Sequence, residues 1–205
     1  MTSTASVLLA MLPDTFRYSD ARERLNERQF RSLIESGQIT AISRGLYRKA
    51  DSTGDDDLLE IAAKAPMATI CLRSALSRHG LIDDIPTEFD IAIPRGRWMP
   101  ETNVPVRWRH FDKATFELGR HLLPLDETHS IGIYSAERSI IDAFRLRHLD
   151  GEDLANDALK RWLRQGGQPS ELLRLSKSFP RVASAISGVQ QSGVRAAPVS
   201  ESLPT

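Results

Sequence analysis

A chain of 205 residues allows one or two small domains, and its single cysteine, Cys71, excludes an intramolecular disulfide framework and fits a reducing cytosol. Basic and acidic residues are equal in number, 27 of each, so no net field draws the whole chain to polyanions. No apolar run approaches the roughly 18 residues that a membrane-spanning helix needs. The five histidines lack the spacing of metal ligands. We therefore expect a cytoplasmic protein with no membrane segment, no metal and no cofactor.

Three short helices are predicted at the N-terminus. The first lies over 7–12, and the other two are separated by a tight break at Leu25. Ser19 is suited to cap the earlier helix of this pair. Asn26 is suited to cap the later helix, and Gln29 three residues on completes the pattern of a capping box.

The later helix of the pair has an apolar stripe and a polar face. Phe30, Leu33 and Ile34 recur at i, i+3 and i+4 and are expected to face a core. Gly37 is placed to end the helix in a left-handed C-cap. Near the helix N-terminus the remaining side chains are of the types that contact base edges and phosphates. These DNA-reading candidates are Arg28, Gln29, Arg31 and Ser32.

A short hairpin rich in arginine follows this helix. Strands are predicted over 38–42 and 46–48, with Arg44 at the tip and Arg48 at the exit as candidate contacts to a DNA backbone. Residues 1–50 carry eight Lys and Arg against five Asp and Glu, whereas the rest of the chain carries 19 against 22. This layout predicts that residues 1–50 form a winged helix-turn-helix that binds double-stranded DNA.

The rest of the chain predicts a small α/β domain, which makes the whole fold α+β. An acidic junction at 51–57 separates this domain from the N-terminal one. The domain is expected to span 58–176, with about three strands and flanking helices, and 177–205 to be a tail of low order that is disordered from residue 188. The expected strands are 89–93, 104–111 and 130–134, with 68–72 as a further short candidate.

One group of basic and aromatic residues lies outside the N-terminal domain: Arg95, Arg97, Trp98, Arg107, Trp108 and Arg109. Aromatic rings stack on unpaired bases and arginines contact phosphates, so the group could bind a single strand. The alternative is a hairpin with one solvated face and Trp108 in the core. We favour that alternative because Trp108 shares its strand face with Val104 and Val106.

Four segments, taken in order, resemble the AbiEi-type antitoxins of bacterial type IV toxin–antitoxin systems. They are SRGLYR at 43–48, CLRSALSRHGL at 71–81, IAIPRGR at 91–97 and YSAERSIIDAFR at 134–145. The resemblance covers roughly residues 5–165. It implies an N-terminal winged helix-turn-helix that represses its own operon by binding an inverted repeat in the promoter. It also implies a C-terminal domain that neutralises a nucleotidyltransferase-like toxin, with or without direct contact.

The resemblance places DNA reading on Arg28, Gln29, Arg31 and Ser32 and the wing role on Arg44 and Arg48. It marks no residue that contacts a toxin. Some similar proteins are fused to a Vsr-like nuclease, but here no Glu-x-Lys follows Asp90, and we expect no enzymatic activity and no catalytic residues. The alternatives are a stand-alone winged-helix regulator and a protein-interaction module without a toxin partner.

Overall fold

The computed structural model describes residues 4–179 and Val182, and its fold is α+β, with one three-stranded and one five-stranded sheet in this part of the chain. The helices are α1 (Thr4–Ala10), α2 (Tyr18–Arg22), α3 (Glu27–Glu35), α4 (Asp56–Lys64), α5 (Leu72–Arg78), α6 (Ala136–Arg145), α7 (Arg147–Asp150), α8 (Glu152–Arg164) and α9 (Pro169–Ser176). The strands are β1 (Thr15–Arg17), β2 (Ile39–Ser43), β3 (Leu46–Lys49), β4 (Thr69–Ile70), β5 (Phe89–Pro94), β6 (Val106–Phe111), β7 (Arg120–Pro124) and β8 (Ser130–Tyr134). None of these helices combines the length and apolar character needed to cross a bilayer. The tail predicted to be disordered from residue 188 lies outside the described residues, as does most of 177–205.

Two compact units make up the described chain, and each is drawn from three stretches. Unit 1 contains residues 4–70, 87–116 and 121–133. Unit 2 contains 71–86, 117–120 and the described residues from 134 onward. The acidic junction predicted at 51–57 therefore falls inside unit 1, where Asp55 caps α4 by accepting a hydrogen bond from the Leu58 N–H (3.1 Å).

The three-stranded sheet lies in unit 1 and has β3 at its centre, with β1 and β2 antiparallel on its two sides. Phe16 of β1 pairs with Tyr47 of β3. β1 was not predicted, because it is three residues long and pairs with a strand far along the chain. The apolar side chains of this sheet and of α1–α3 form one core: Ala5, Leu9, Leu12, Phe16, Ala21, Leu25, Phe30, Leu33 and Ile39.

The five-stranded sheet has the order β6-β5-β4-β8-β7 and is mixed. β5 runs parallel to β6 and antiparallel to β4, and β4 runs parallel to β8. The strands predicted near 68–72, 89–93, 104–111 and 130–134 are all present, but the expectation of about three strands was wrong. The strand that the sequence did not indicate is β7, which lies at a sheet edge with most side chains exposed and therefore lacks the alternation of a half-buried strand.

Unit 2 is organised around α6, whose N-cap Ser135 accepts a hydrogen bond from the Arg138 N–H (3.2 Å), as predicted. The apolar core of this unit is formed by α5, α6, α8, α9 and residues that follow α5 and α9: Leu76, Leu81, Ile140, Ile141, Ala143, Phe144, Ala155, Ala158, Leu159, Trp162, Leu172, Phe179 and Val182. Within it the predicted ion pair of Arg138 and Asp142 is fully buried, with 2.9 Å between Nε and Oδ2. The Arg138 guanidinium also lies over the ring of Tyr134 (4.3 Å) and donates to the Leu118 carbonyl (2.6 Å).

Candidate nucleic-acid interface

The N-terminus of α3 is fixed by a reciprocal pair of hydrogen bonds. The Gln29 N–H donates to Asn26 Oδ1, and the Asn26 N–H donates to Gln29 Oε1, both at 2.9 Å. This is the predicted capping box, and it satisfies two backbone donors that a helix start leaves without an intrahelical partner. The break before it also lies where predicted, with Leu25 buried in the core between α2 and α3.

α2 begins two residues earlier than the predicted cap at Ser19 would place it. Its N-cap is Arg17 and not Ser19, which lies inside the helix. The carboxylate of Asp20 accepts a hydrogen bond from the Arg17 N–H at 3.1 Å, and this contact starts the helix. The prediction for Ser19 was wrong because an acidic side chain three residues into the segment takes the capping role.

An aromatic cluster holds α3 against the three-stranded sheet. The ring of Phe30 packs edge-on against Tyr18 (5.0 Å between centroids) and Tyr47 (4.9 Å). The Tyr18 hydroxyl donates to Glu27 Oε2 at 2.6 Å, and this hydrogen bond raises the pKa of the Tyr18 phenol. Helix α3 is therefore fastened through its first turn and through its apolar stripe.

The apolar stripe of α3 is narrower than the sequence predicted. Phe30 and Leu33 are buried, but Ile34 is 44% exposed, so its predicted place in the core was wrong. After α3 the chain turns through Gly37 at φ +69°, the predicted left-handed C-cap. There the Gly37 N–H donates to the Ile34 carbonyl and the Gln38 N–H to the Leu33 carbonyl, both at 3.0 Å.

The polar side chains predicted to read DNA share the solvent side of α3. Arg28, Arg31 and Ser32 are exposed. Arg31 forms a loose ion pair with Glu27 (3.7 Å), which lies one turn earlier on the same helix. Within the described residues the Arg28 guanidinium has no ion-pair partner. Arg28 is therefore the cation on α3 that can bind an external anion or base edge without first losing an internal contact.

Gln29 has a structural role that competes with base reading. A bidentate contact to adenine needs the amide oxygen as acceptor and the amide nitrogen as donor. In the structure that oxygen accepts from the Asn26 N–H, and the side chain is partly buried. While the capping box is intact, one lone pair of the Gln29 oxygen is used and the orientation of the amide is fixed, so the side chain cannot turn to align its oxygen and nitrogen with an adenine.

The hairpin after α3 is closed by a two-residue turn of Arg44 and Gly45 between β2 and β3. Gly45 adopts φ +77°, a conformation that favours glycine. Its carbonyl accepts a hydrogen bond from the Tyr18 N–H at 2.9 Å, which fastens the turn to the start of α2. Arg44 is exposed at the tip, as predicted, and no described residue pairs with its side chain.

Arg48 is not one of the exposed cations. Its guanidinium lies 2.8 Å from the carboxylate of Asp56, and its side chain is only 19% exposed. This ion pair links the last strand of the three-stranded sheet to the first turn of α4. The sequence could not show it, because the two residues come together only through the turn that follows β3.

An additional exposed cation lies in the turn between α2 and α3. Arg24 is two residues before the capping Asn26, and among the described residues its side chain has no ion-pair partner. Arg24 is not among the residues predicted to contact DNA, although a basic residue in the predicted break is a recognisable signal. Arg17, at the end of β1, is likewise exposed and has no ion-pair partner among the described residues. Arg17, Arg24, Arg28 and Arg44 are thus the cations of residues 4–50 that this arrangement leaves open to an anion.

Two carboxylates at the start of β5 are engaged by arginines. Asp90 lies 3.3 Å from Arg109, and Glu88 pairs with Arg107. No group of three or more His, Cys, Asp or Glu side chains suited to hold a metal ion occurs within the described residues.

Comparison with known proteins finds a likeness of fold. No family model matches the chain, and no curated protein matches it. A solved structure that resembles it is the RV2827C protein from Mycobacterium tuberculosis, with a TM-score of 0.52 and 17% sequence identity. The match covers 98% of this chain and 82% of that chain. At this identity the chain is similar to that protein in fold.

Proposed function

We propose that residues 4–50 form a winged helix-turn-helix that binds duplex DNA, with α3 in the major groove and the β2–β3 hairpin against the backbone. The observation that carries this proposal is the position of Arg28. It lies in the first turn of a helix whose opposite side is fixed by Phe30 and Leu33, and its guanidinium has no ion-pair partner in the described chain. An arginine held in this way can donate two parallel hydrogen bonds to O6 and N7 of a guanine.

The contacts to the DNA backbone fall to the hairpin and the turn before α3. Arg44 extends from a turn that is held by the Tyr18–Gly45 hydrogen bond, so its guanidinium can reach a phosphate from a fixed base. Arg24 offers a further cation from the turn before α3. Phosphate contacts of this kind set register and orientation, and base contacts from α3 set sequence preference.

We further propose that the protein is the antitoxin of a type IV toxin–antitoxin pair. In this role it binds an inverted repeat in its own promoter, represses that operon and neutralises a nucleotidyltransferase-like toxin. The support is the ordered set of four segments that resemble AbiEi-type antitoxins, a set that runs through both compact units. An inverted repeat presents two equivalent half-sites, so two copies of the chain are expected on one operator.

The DNA-binding part is tested by titrating the full chain against its promoter fragment and against random duplex DNA of equal length. We expect a preference for the promoter, lost in the double variant Arg28→Ala with Arg44→Ala. Arg174→Ala, which removes an exposed cation of α9, is the matched control and should bind as the unaltered chain does. Equal affinity of the unaltered chain for promoter and random DNA would overturn the proposal.

The antitoxin part is tested by growth of cells that express the toxin encoded beside this gene. The unaltered chain should restore growth, and so should the Arg28→Ala and Arg44→Ala double variant at equal abundance, because neutralisation is assigned to the rest of the chain. Continued toxicity with the unaltered chain would show that it is not an antitoxin. Toxicity with the double variant alone would assign neutralisation to DNA binding.

A further inference from the structure

A tryptophan lies in solvent on the loop that follows β5. Trp98 is 86% exposed, and its neighbours Arg95, Arg97 and Met99 are exposed as well. The sequence favours a hairpin here, with one solvated face and Trp108 in the core. That prediction was wrong, because β5 and β6 are parallel and Trp108 is only half-buried, while Trp98 has almost no contact with the other described residues.

The backbone on the N-terminal side of Trp98 is held in place. The Arg95 N–H donates to the Phe111 carbonyl (2.8 Å), and the Arg97 N–H donates to the Pro94 carbonyl (3.0 Å). The Nε2 atom of His110 lies 3.0 Å from the Arg97 carbonyl oxygen, within hydrogen-bonding distance. These contacts anchor the loop to the carboxyl ends of the parallel strands β5 and β6. The indole is therefore presented from a fixed base and its exposure does not come from a loose chain end.

The charge around Trp98 is positive and unpaired. Arg107 and Arg109 are neutralised by Glu88 and Asp90. By contrast, Arg95 and Arg97 have no ion-pair partner in the part of the chain that the structure describes. An exposed aromatic face on the same short loop as two such cations favours a ligand that offers both a flat π-system and negative charge.

We propose that the loop from Arg95 to Met99 binds single-stranded nucleic acid, with the Trp98 indole stacked on an unpaired base and Arg95 and Arg97 on the adjoining phosphates. Every base has a π-face, so binding should tolerate any sequence. Bases of a duplex are stacked inside the helix and cannot reach the indole, so duplex DNA should be a poor ligand for this loop. The loop shares no residue with the surface of α3 assigned to duplex DNA, and the two proposals stand or fall separately.

The test is fluorescence anisotropy of labelled oligo(dT) and oligo(U), each of about 12 nucleotides, titrated with the full chain. The stacking contribution predicts that Trp98→Leu weakens binding about tenfold, whereas Trp98→Phe, which keeps an aromatic face, retains most of it. Arg95→Gln and Arg97→Gln should each make the salt dependence shallower, by about 0.7 in the log–log slope. Comparison of the two oligonucleotides shows whether the 2′-hydroxyl contributes.

Leu122→Ala is the control, because it removes another exposed apolar side chain of unit 1 and should leave binding unchanged. Quenching of tryptophan fluorescence by the oligonucleotide should be present in the unaltered chain and lost in Trp98→Phe. Thermal unfolding should be the same in all these variants, since Trp98 contributes almost nothing to the core. The proposal is overturned if neither oligonucleotide binds, if Trp98→Leu binds both as well as the unaltered chain, or if random duplex DNA competes as well as single strands.

Discussion

Asn26 and Gln29 exchange hydrogen bonds, each side chain accepting from the backbone N–H of the other at 2.9 Å. The same two residues close the break before α3 and determine where its exposed face begins. Gln29 is consequently both a structural residue and a candidate reader of DNA, and substitutions can separate these roles.

The first prediction concerns this capping box. Asn26→Ala should lower the free energy of unfolding by about 1 kcal/mol, because an orphan donor at the start of α3 loses its acceptor. Gln29→Ala should lower it by a similar or smaller amount, and chemical denaturation measures both. Operator affinity should fall less in Gln29→Ala than in Arg28→Ala, since the Gln29 oxygen is already engaged. A larger loss for Gln29→Ala would show that the box opens on DNA and that the amide reads a base.

Arg28 and Arg44 should differ in what they contribute to DNA binding. Arg28→Ala should cost about 1–3 kcal/mol on the operator and relax sequence preference, because a bidentate base contact is lost. Arg44→Ala should weaken operator and random DNA alike and make the salt slope shallower by about one. Titrations at several salt concentrations measure both effects, with Arg174→Ala as the control. If both variants lose the same affinity for operator and for random DNA, α3 does not determine the sequence preference.

Arg48 should behave as a stabilising residue and not as a DNA contact. Its ion pair with Asp56 is partly exposed, so a double-mutant cycle with Arg48→Met and Asp56→Asn should give a coupling free energy of about 1 kcal/mol or less. Affinity for random DNA should change little in Arg48→Met. If that variant instead binds DNA as weakly as Arg44→Ala, Arg48 must leave Asp56 to contact a phosphate, which would restore its predicted wing role.

Substitutions in the buried pair of Arg138 and Asp142 should lower the free energy of unfolding far more than substitutions in the pair of Arg48 and Asp56. Asp142→Ala leaves the Arg138 guanidinium in a core without its carboxylate, and such losses cost about 3–5 kcal/mol. Replacing both residues, as Arg138→Met with Asp142→Leu, should recover much of the loss because the fully buried charges are gone and only the partly buried Arg145 loses its contact with Asp142. Urea denaturation of the three proteins tests this prediction. A double variant less stable than Asp142→Ala would show that Arg138 stabilises the unit mainly through Tyr134 and the Leu118 carbonyl.

Asp126 gives the protein a predictable response to acid. Burial acts to raise the pKa of Asp126, but hydrogen bonds from the N–H groups of Thr128 and His129 outweigh it and hold the pKa below the ordinary 3.8. A depressed pKa means that the ionised carboxylate adds stability above the unfolded pKa, and that this stability is lost as pH falls through the folded value. Asp126→Asn should therefore be less stable by about 1 kcal/mol near neutral pH. The difference should begin to shrink as pH falls below the ordinary pKa of 3.8, and it should vanish only once pH lies below the depressed pKa of the folded protein. If denaturation curves show a difference that is independent of pH, the charge of Asp126 is not its source.

Local features of the fold could be read from the sequence, because their causes lie within a few residues. The capping box at Asn26, the left-handed Gly37 and the Ser135 cap all depend on a side chain and its near neighbours. Features with distant causes were missed. β1 depends on pairing with β3, and the exposure of Ile34 depends on which part of α3 the sheet covers.

The same distinction between local and distant causes holds for the residues proposed to bind nucleic acid. The exposure of Arg28 and Arg44 follows from helix and hairpin periodicity, so the sequence predicts it. The engagement of Arg48 by Asp56 and the exposure of Trp98 are products of tertiary arrangement. A sequence pattern shows which side chains are chemically suited to bind, but it cannot show which of them the folded chain has already paired.

The position of β8 in the five-stranded sheet has a consequence for how the protein is made. β8 lies between β4 and β7, and it is the last strand of that sheet to leave the ribosome. The five-stranded sheet cannot be completed until synthesis has passed Tyr134. The strands of the three-stranded sheet and the residues of its core all lie within the first 50 residues. During translation the candidate duplex-binding surface can therefore fold while the larger sheet still exposes β4 along one edge. A premature stop before Ser130 would release a chain whose N-terminal part is complete and whose larger sheet invites pairing with other chains.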